Sequence, residues 1–509
     1  MMGPQQFNGE GHTAMEIQNL SAVEVTHLIR RRELSAREAL DSHIAAIEAR
    51  NGTVNAVITT DFERAAELAA RADERTARGE PTGILHGLPM THKDTFNTAG
   101  LRSTQGSKAL EHQIPAVDDL QIARLTAAGA IRTGKTNVPE FGAGSHTFND
   151  LFGTTTNPYA PTLSAGGSSG GVAAVVAARI QPLGDGSDMG GSLRIPASFC
   201  NVYGLRPSYG VIPLEGATNA YSWLARSGPM ARSVEDLALF MRASAGPTKL
   251  PNPSPLAPAD FGTPLPDLRG VRIGYSFDFG IGLPVDPEII DVLRGQLHVF
   301  EAAGAHLEEA TIDFSDADEV FQVTRAYDFA TGIGPLLEHH RDVIKPEVIW
   351  NVEKGLALDA AALISAQAAR TRLEHAAQRF FGSYDAFLSP AAQVLPFDAS
   401  WRWPETIAGT PAETYLDWMR SACVLSATSL PVLAMPGGFT GSGLPVGWQL
   451  AANHYRDADL LRWAAAYEQA TGFAKRPPAY IAAEHWIGAD QHAGADQHAG
   501  ADQYAGAGQ

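Results

Sequence analysis

The chain is poor in the residues that staple small proteins or anchor them to membranes. Its 509 residues include two cysteines, Cys200 and Cys423. A disulfide framework and a cysteine-based metal site are both excluded, and the two thiols are expected to serve as small buried hydrophobes. No apolar run approaches the ~18 residues that a membrane span needs. The stretch Met1 to Glu10 lacks the basic and apolar regions of a signal peptide. The expectation is a cytoplasmic protein with no membrane partner. Positive charge is also scarce: 38 lysines and arginines stand against 56 aspartates and glutamates, for a net charge of −18. That balance argues against nucleic acid as a partner. The 16 histidines are scattered without an HExxH cluster, so no metal or other cofactor is expected.

Glycine, by contrast, is plentiful, at 50 residues, and two glycine-flanked serines fall within residues 164–198. Ser168 sits in Gly166-Gly167-Ser168-Ser169-Gly170-Gly171, and Ser192 ends Asp188-Met189-Gly190-Gly191-Ser192. The apolar run Val172 to Ala178 between them reads as a helix or a buried strand that folds the two loops back on each other. Glycine permits positive φ and leaves the backbone uncrowded, so successive N–H groups can point into one space. A serine oxygen beside such donors is what acyl transfer needs, a nucleophile with a place for the oxyanion. A single such run also suits a linker. Two runs, the second carrying Asp185, Asp188 and Arg194 before Ile195-Pro196, do not. A phosphate loop fails because no Lys-Ser or Lys-Thr follows the glycines. Gly167 to Gly171 fits G-x-S-x-G around Ser169, but that elbow needs a buried strand before it; Thr154 to Ser164 reads as a Thr/Pro/Asn loop.

The stretch resembles the signature of the amidase signature family of serine hydrolases. GGSSGG, the intervening segment and Gly186-Ser187-Asp188-Met189-Gly190-Gly191-Ser192-Leu193-Arg194-Ile195-Pro196-Ala197 stand in order and at the family's spacing. The resemblance implies a Ser–Ser–Lys triad, with Ser192 as nucleophile and Ser168 as a bridging serine held by a cis peptide. Lys93, in Gly87-Leu88-Pro89-Met90-Thr91-His92-Lys93-Asp94, fits the lysine; from the residues alone it reads as a surface lysine beside an aspartate. No histidine lies in the glycine loops, so another base must serve, and the resemblance implies that it is this lysine. It can do so only when neutral, and full burial lowers a lysine pKa by as much as ~3–5 units. Backbone N–H groups of Met189, Gly190, Gly191 and Ser192 are then the expected oxyanion donors. Asp188 and Arg194 hold the loop, and Ser169 supports it. The family's acyl pocket is lined by the region Asn137 to Asn157, which makes Gly144, Ser145, His146 and Phe148 candidate wall residues. His146, a lone loop histidine, is not expected to be catalytic. Arg206 stands where the family usually has lysine and keeps the charge.

The resemblance covers about residues 15–478. It implies an α/β fold, a single large domain with a mixed twisted β-sheet covered by helices on both faces. Residues 1–14 are expected to be an extension and 479–509, with three near-copies of Gly-Ala-Asp-Gln-His/Tyr-Ala, a disordered tail. Ser21-x-x-Glu24 and Ser35-x-x-Glu38 predict two capped helices, and Pro287 to Ala303 a helix. The helical region, about 317–420, is expected to shape the substrate channel, with Tyr327, Phe329, Trp350, Trp401, Trp403 and Trp418 as candidate walls. The implied reaction is hydrolysis of a carboxylic amide, with aryl amides, esters and carbamates open. The partner is a small-molecule acyl substrate, and a homodimer is left open. Two rivals stand: the amidase subunit of a glutamine-dependent tRNA amidotransferase, and a non-catalytic binding protein. The loop Gly144-Ser145-His146-Thr147-Phe148 departs from the Ser-Thr-Glu-Asn form expected of the first. The second leaves three filled triad positions without purpose.

Overall fold

The computed structural model describes residues 14–214, 219, 221–248 and 261–482. The N-terminal extension up to residue 13 and the repeated segment from 483 onward lie outside the described residues. Both N-terminal helices start where the Ser/Glu spacing predicts. Ser21 Oγ accepts the Glu24 N–H, and the Glu24 carboxylate accepts the Ser21 N–H at 2.7 Å, opening the helix Ala22–Arg31. Ser35 and Glu38 repeat this at Ala36–Val54. Each box satisfies N–H groups that a first helical turn leaves free.

Two sheets organise the body. A three-stranded sheet places Ile131–Thr136 between Val57–Thr60 and Pro89–Lys93, antiparallel to the first and parallel to the second. The larger sheet has eight strands. In spatial order they are His306–Glu309, Arg272–Tyr275, Ala386–Pro390, Pro445–Ala452, Val432–Phe439, Tyr203–Arg206, Arg226–Ala231 and Leu183–Asp188. Arg272–Tyr275 runs parallel to both its neighbours, and the other pairs are antiparallel. The sheet is therefore mixed.

Its central strands are buried on both faces. Val432 and Ala434 enter one hydrophobic cluster, while Leu433 and Met435 enter the other. Leu450 and Ala452 flank Ala451 in the same alternation, as strand geometry requires. Helices Gly170–Ala177 and Arg194–Phe199 supply the first cluster; Val234–Ser244 and Asp457–Thr471 supply the second.

The Val172 to Ala178 ambiguity resolves as the helix Gly170–Ala177, buried at every position. A helix apolar all round belongs inside a core. Pro287 to Ala303 is two helices, Pro287–Arg294 and Leu297–Ala302, broken at Gly295 and Gln296. The region 317–381 is three helices: Ala317–His340, Pro346–Leu356 and Ala360–Phe381. Pro346 takes a first helical position, where its missing N–H costs nothing. Packing also continues past residue 478, because Ile481 is fully buried in the first cluster.

Two glycines of opposite surroundings test this packing. A Cβ at Gly228, inside the large sheet, would meet Leu205 O at 2.0 Å. Gly228→Ala is expected to destabilise the fold by about 2–3 kcal/mol. Gly52, in the helix Ala36–Val54, has nothing within 4 Å of an added Cβ, so Gly52→Ala is expected to stabilise by about 0.5–1 kcal/mol. Thermal melts of the two variants should shift in opposite directions.

Candidate active site

The site is built where the small sheet meets the edge of the large one. Every residue of the strand Pro89–Lys93 is buried. Asp185, on the edge strand Leu183–Asp188, fixes the end of it: Oδ1 lies 2.8 Å from His92 Nδ1, and Oδ2 accepts the Lys93 N–H at 3.2 Å. Gln181 Oε1 accepts from both Thr91 N–H and Thr91 Oγ1. Lys93 Nζ is thereby carried between the two glycine loops. It lies 2.8 Å from Ser168 Oγ, 2.9 Å from Ser169 Oγ and 2.9 Å from Ser187 Oγ. The side chain is fully buried. Burial lowers the amine from its ordinary value of 10.5 to about 7, against the upward pull of Asp188 and Asp185.

The Gly167–Ser168 peptide is cis. Close approach needs bare backbone around it. A Cβ at Gly186 would meet Leu193 Cδ2 at 2.6 Å and Ser169 Oγ at 2.9 Å. Gly142, at φ +67, backs directly onto Ser168 Oγ.

Asp188 holds the second loop. Its carboxylate accepts the Gly191 N–H at 2.8 Å, the Leu193 N–H at 3.1 Å, and Arg194 Nε and Nη2 at 3.0 and 3.1 Å. Arg206 Nη1 stands 3.5 Å from the same carboxylate and also donates to the Asp188 carbonyl. Burial pushes Asp188 up. The Arg194 and Arg206 guanidinium groups, the Arg194 hydrogen bonds and the Gly191 N–H outweigh it and hold the group far below the usual carboxylate range. Arg194 continues outward to Ala422 O, Gln449 Oε1 and Ser426 Oγ, so the pair ties the loop to the body of the protein. The expectation for Gly191 needs correction. Its N–H is already engaged by Asp188, whereas Met189 and Gly190 N–H groups make no hydrogen bond among the described residues.

Ser192 is 6% exposed and Ser168 3%. Their loops touch through backbone, the Ser169 N–H donating to Ser192 O at 3.1 Å. No hydrogen bond joins the two hydroxyls among the described residues.

Gly144, Ser145, His146 and Phe148 do come together. They line one small cavity with Ala143, Lys345, Glu347, Arg402, Trp403, Tyr415 and Trp418. His146 lines it with both ring nitrogens engaged elsewhere. Nδ1 lies 2.7 Å from Ser164 Oγ and Nε2 3.2 Å from Ala399 O, and burial lowers its pKa to about 4. It is neutral, with both nitrogens taken up. Ser145 Oγ is buried and has no hydrogen-bond partner among the described residues. Of the six candidate aromatics, Trp403 and Trp418 line this cavity and Trp350 an adjoining one. Phe329 lies under the Arg325 guanidinium, Trp401 stacks on Phe397, and Tyr327 is exposed.

Three residues escaped the sequence reading. Ser187 bonds Lys93, and its signal was present: in Asp185-Gly186-Ser187 the polar residues alternate, so both face the small sheet. Tyr415 and Arg325 had no such signal. Buried Arg325 donates to Tyr415 OH at 2.6 Å, Asn351 Oδ1 at 3.1 Å and Met189 Sδ at 3.2 Å. It thereby ties the Met189 loop to the pocket wall.

Asp188→Asn tests the loop anchor. It leaves two buried guanidinium groups without an anion, which is expected to cost about 3–5 kcal/mol. Urea unfolding should show the loss, and activity should fall with it.

Comparison with known proteins places the whole chain. The amidase family model matches residues 38–461. An acylamidase of Rhodococcus erythropolis is 35% identical over 92% of this chain and 98% of its own length. A glutamyl-tRNA(Gln) amidotransferase subunit of Thermosynechococcus vestitus is 36% identical over 88% of this chain and 97% of its own. The crystal structure of a bacterial aryl acylamidase of the amidase signature enzymes superposes with a TM-score of 0.84, at 29% identity, covering 90% of this chain and 97% of that one. With a family match across most of its length and full-length relatives above 30% identity, the chain belongs to the amidase family, hydrolases of the amidase signature that act on amides.

Proposed function

We propose that the chain hydrolyses aryl or acyl amides through an acyl-enzyme on Ser192, acting without partner subunits. The observation that carries this is Lys93 Nζ, fully buried and 2.8 Å from Ser168 Oγ. Neutral Lys93 takes the Ser168 proton while Ser168 takes the Ser192 proton, and Ser192 Oγ attacks the carbonyl carbon. The oxyanion is held by the N–H groups of Met189, Gly190 and Ser192; losing one such donor typically costs about 10²–10³ in kcat. Ser168 then returns a proton to the leaving nitrogen, without which an amide nitrogen does not leave. Water then attacks the acyl carbon, passing a proton to Ser168 as Ser168 passes its own to Lys93; the acyl C–O bond to Ser192 breaks, Ser168 returns a proton to Ser192 Oγ, Lys93 returns one to Ser168, and the acid is released. Ser187 and Ser169 hold the amine on Ser168.

The aromatic walls Phe148, Trp403, Tyr415 and Trp418 favour an apolar or aryl group on the substrate. The amidotransferase reading has equal support from identity alone. His146 and Phe148 weigh against it, since they give the 144–148 loop an aromatic lining in place of a polar one.

The test is release of 4-nitroaniline from a short-chain acyl anilide by protein purified without partners. Wild type should turn over, while Ser192→Ala and Lys93→Ala, checked for folding by circular dichroism, should lose about 10³-fold or more. Full activity in Ser192→Ala contradicts the assignment. An inert wild type that gains glutaminase activity only in a complex supports the amidotransferase reading.

The pH profile follows from the lowered amine. Lys93 is a base only when neutral, so kcat/KM should rise with pH through about 7 and then level off. The same shift affects stability. Between about 7 and the ordinary 10.5, the unfolded chain holds a proton that the folded chain lacks, so this group makes the fold more stable as pH rises. A profile that falls through pH 7 would contradict the mechanism.

A further inference from the structure

Three cavities meet at one side chain. The small one, walled by Gly144, Ser145, His146 and Phe148, has a volume of about 10 Å³, room for about one water molecule. On one side lies a cleft of about 280 Å³ bounded by Trp350, Trp403, Glu413 and Thr414. On the other lies one of about 360 Å³ bounded by Lys108, Asp150, Asp342 and Ile344. Arg402 lines all three. Glu347 lines the small cavity and the first cleft; Lys345 and Phe148 line the small cavity and the second.

Arg402 is pinned across this junction. Nε and Nη2 reach Glu347 Oε1 at 2.9 and 2.5 Å, and Nη2 reaches Oε2 at 2.5 Å. The guanidinium also lies over the Phe148 ring, 5.4 Å from its centroid. The partners differ in freedom. The Glu347 side chain is 9% exposed, on the helix Pro346–Leu356, and that of Arg402 is 49% exposed. A half-exposed ion pair is a weak tie, and Arg402 is the partner able to leave into solvent.

The small cavity approaches the two serine loops from two directions. Its wall residue Ala143 follows Gly142, which backs onto Ser168 Oγ. Its wall residue Tyr415 is bonded through Arg325 to Met189 of the second serine loop.

We propose that Arg402, latched to Glu347, sets the size of acyl group the enzyme accepts. Closed, it separates the small cavity from the clefts and leaves no room for a long acyl chain. Released, it joins the pocket to the clefts on either side, whose aromatic residues Trp350, Trp403 and Phe148 receive a longer apolar acyl chain. This rests on the amide-hydrolase reading and assigns Arg402 and Glu347 as specificity-determining residues. Neither touches the reacting atoms.

The experiment holds the amine constant and varies the acyl group, comparing 4-nitroanilides of acetic and 4-phenylbutanoic acid. Wild type, Arg402→Ala and Glu347→Gln are measured as a ratio of kcat/KM for the long over the short substrate. The ratio cancels any difference in folded fraction, and Glu347→Gln weakens the latch without leaving a buried charge unpaired. Both variants should raise the ratio by about tenfold. Quenching of tryptophan fluorescence by 4-phenylbutanoate, against acetate as control, gives a second readout that needs no turnover. Affinity for the long acid should rise in both variants by a similar factor. A ratio and an affinity within about twofold of wild type in both variants overturn the proposal. If wild type cleaves neither anilide, the amide-hydrolase reading fails, and the fluorescence titration alone decides the latch.

Discussion

Lys93 ends a buried strand with its amine out of contact with water and surrounded by hydroxyls. Ser168, Ser169 and Ser187 all lie within 2.9 Å of it. An ammonium in that setting lacks both hydration and a counter-ion, so the neutral amine is favoured. A neutral amine beside a serine hydroxyl is a base. The position of the small sheet, the glycines around Ser168 and the tether from Asp185 all serve to hold this amine in place.

Acids are nevertheless close by, and their pairing explains why Lys93 is not one half of a salt bridge. Asp188 is committed to Arg194 and Arg206. Asp185 is committed to His92 and to the Lys93 backbone. Asp94, the next residue, accepts from Thr104 and faces the buried Lys135 at 3.8 Å. Asp188 and Asp185 still pull the Lys93 amine upward, but none of these carboxylates is paired with it, and desolvation outweighs their pull. A buried charge pair broken by removing one partner is costly, and this arrangement spreads that cost over loops that must stay fixed for the chemistry.

Local signals in the sequence were readable because their physics is local. Ser21 with Glu24 and Ser35 with Glu38 satisfy N–H groups three residues away, and both boxes are present. The glycine loops were readable because few other structures need so many bare backbones in a row. The break at Gly295 within Pro287 to Ala303 was not legible, since apolar spacing continues across it. Tyr415, Arg325 and Arg402 were also missed. They reach the site from helices and loops more than a hundred residues beyond Ser192, and only the folded sheet brings them there. The six aromatics show the same limit. Their composition marks an apolar interior, and which of them face a cavity depends on helix packing that spacing does not encode.

The central claim is that Lys93 is a neutral amine at working pH. With seven lysines in the chain, labelling lysine with ¹³C at Cε gives a spectrum in which each can be assigned by substitution. The Lys93 signal should titrate with a midpoint near 7, well below the solvent-exposed lysines. A Lys93 signal that stays in its protonated position beyond about pH 9 would contradict the claim, and Ser168 would then lack a base.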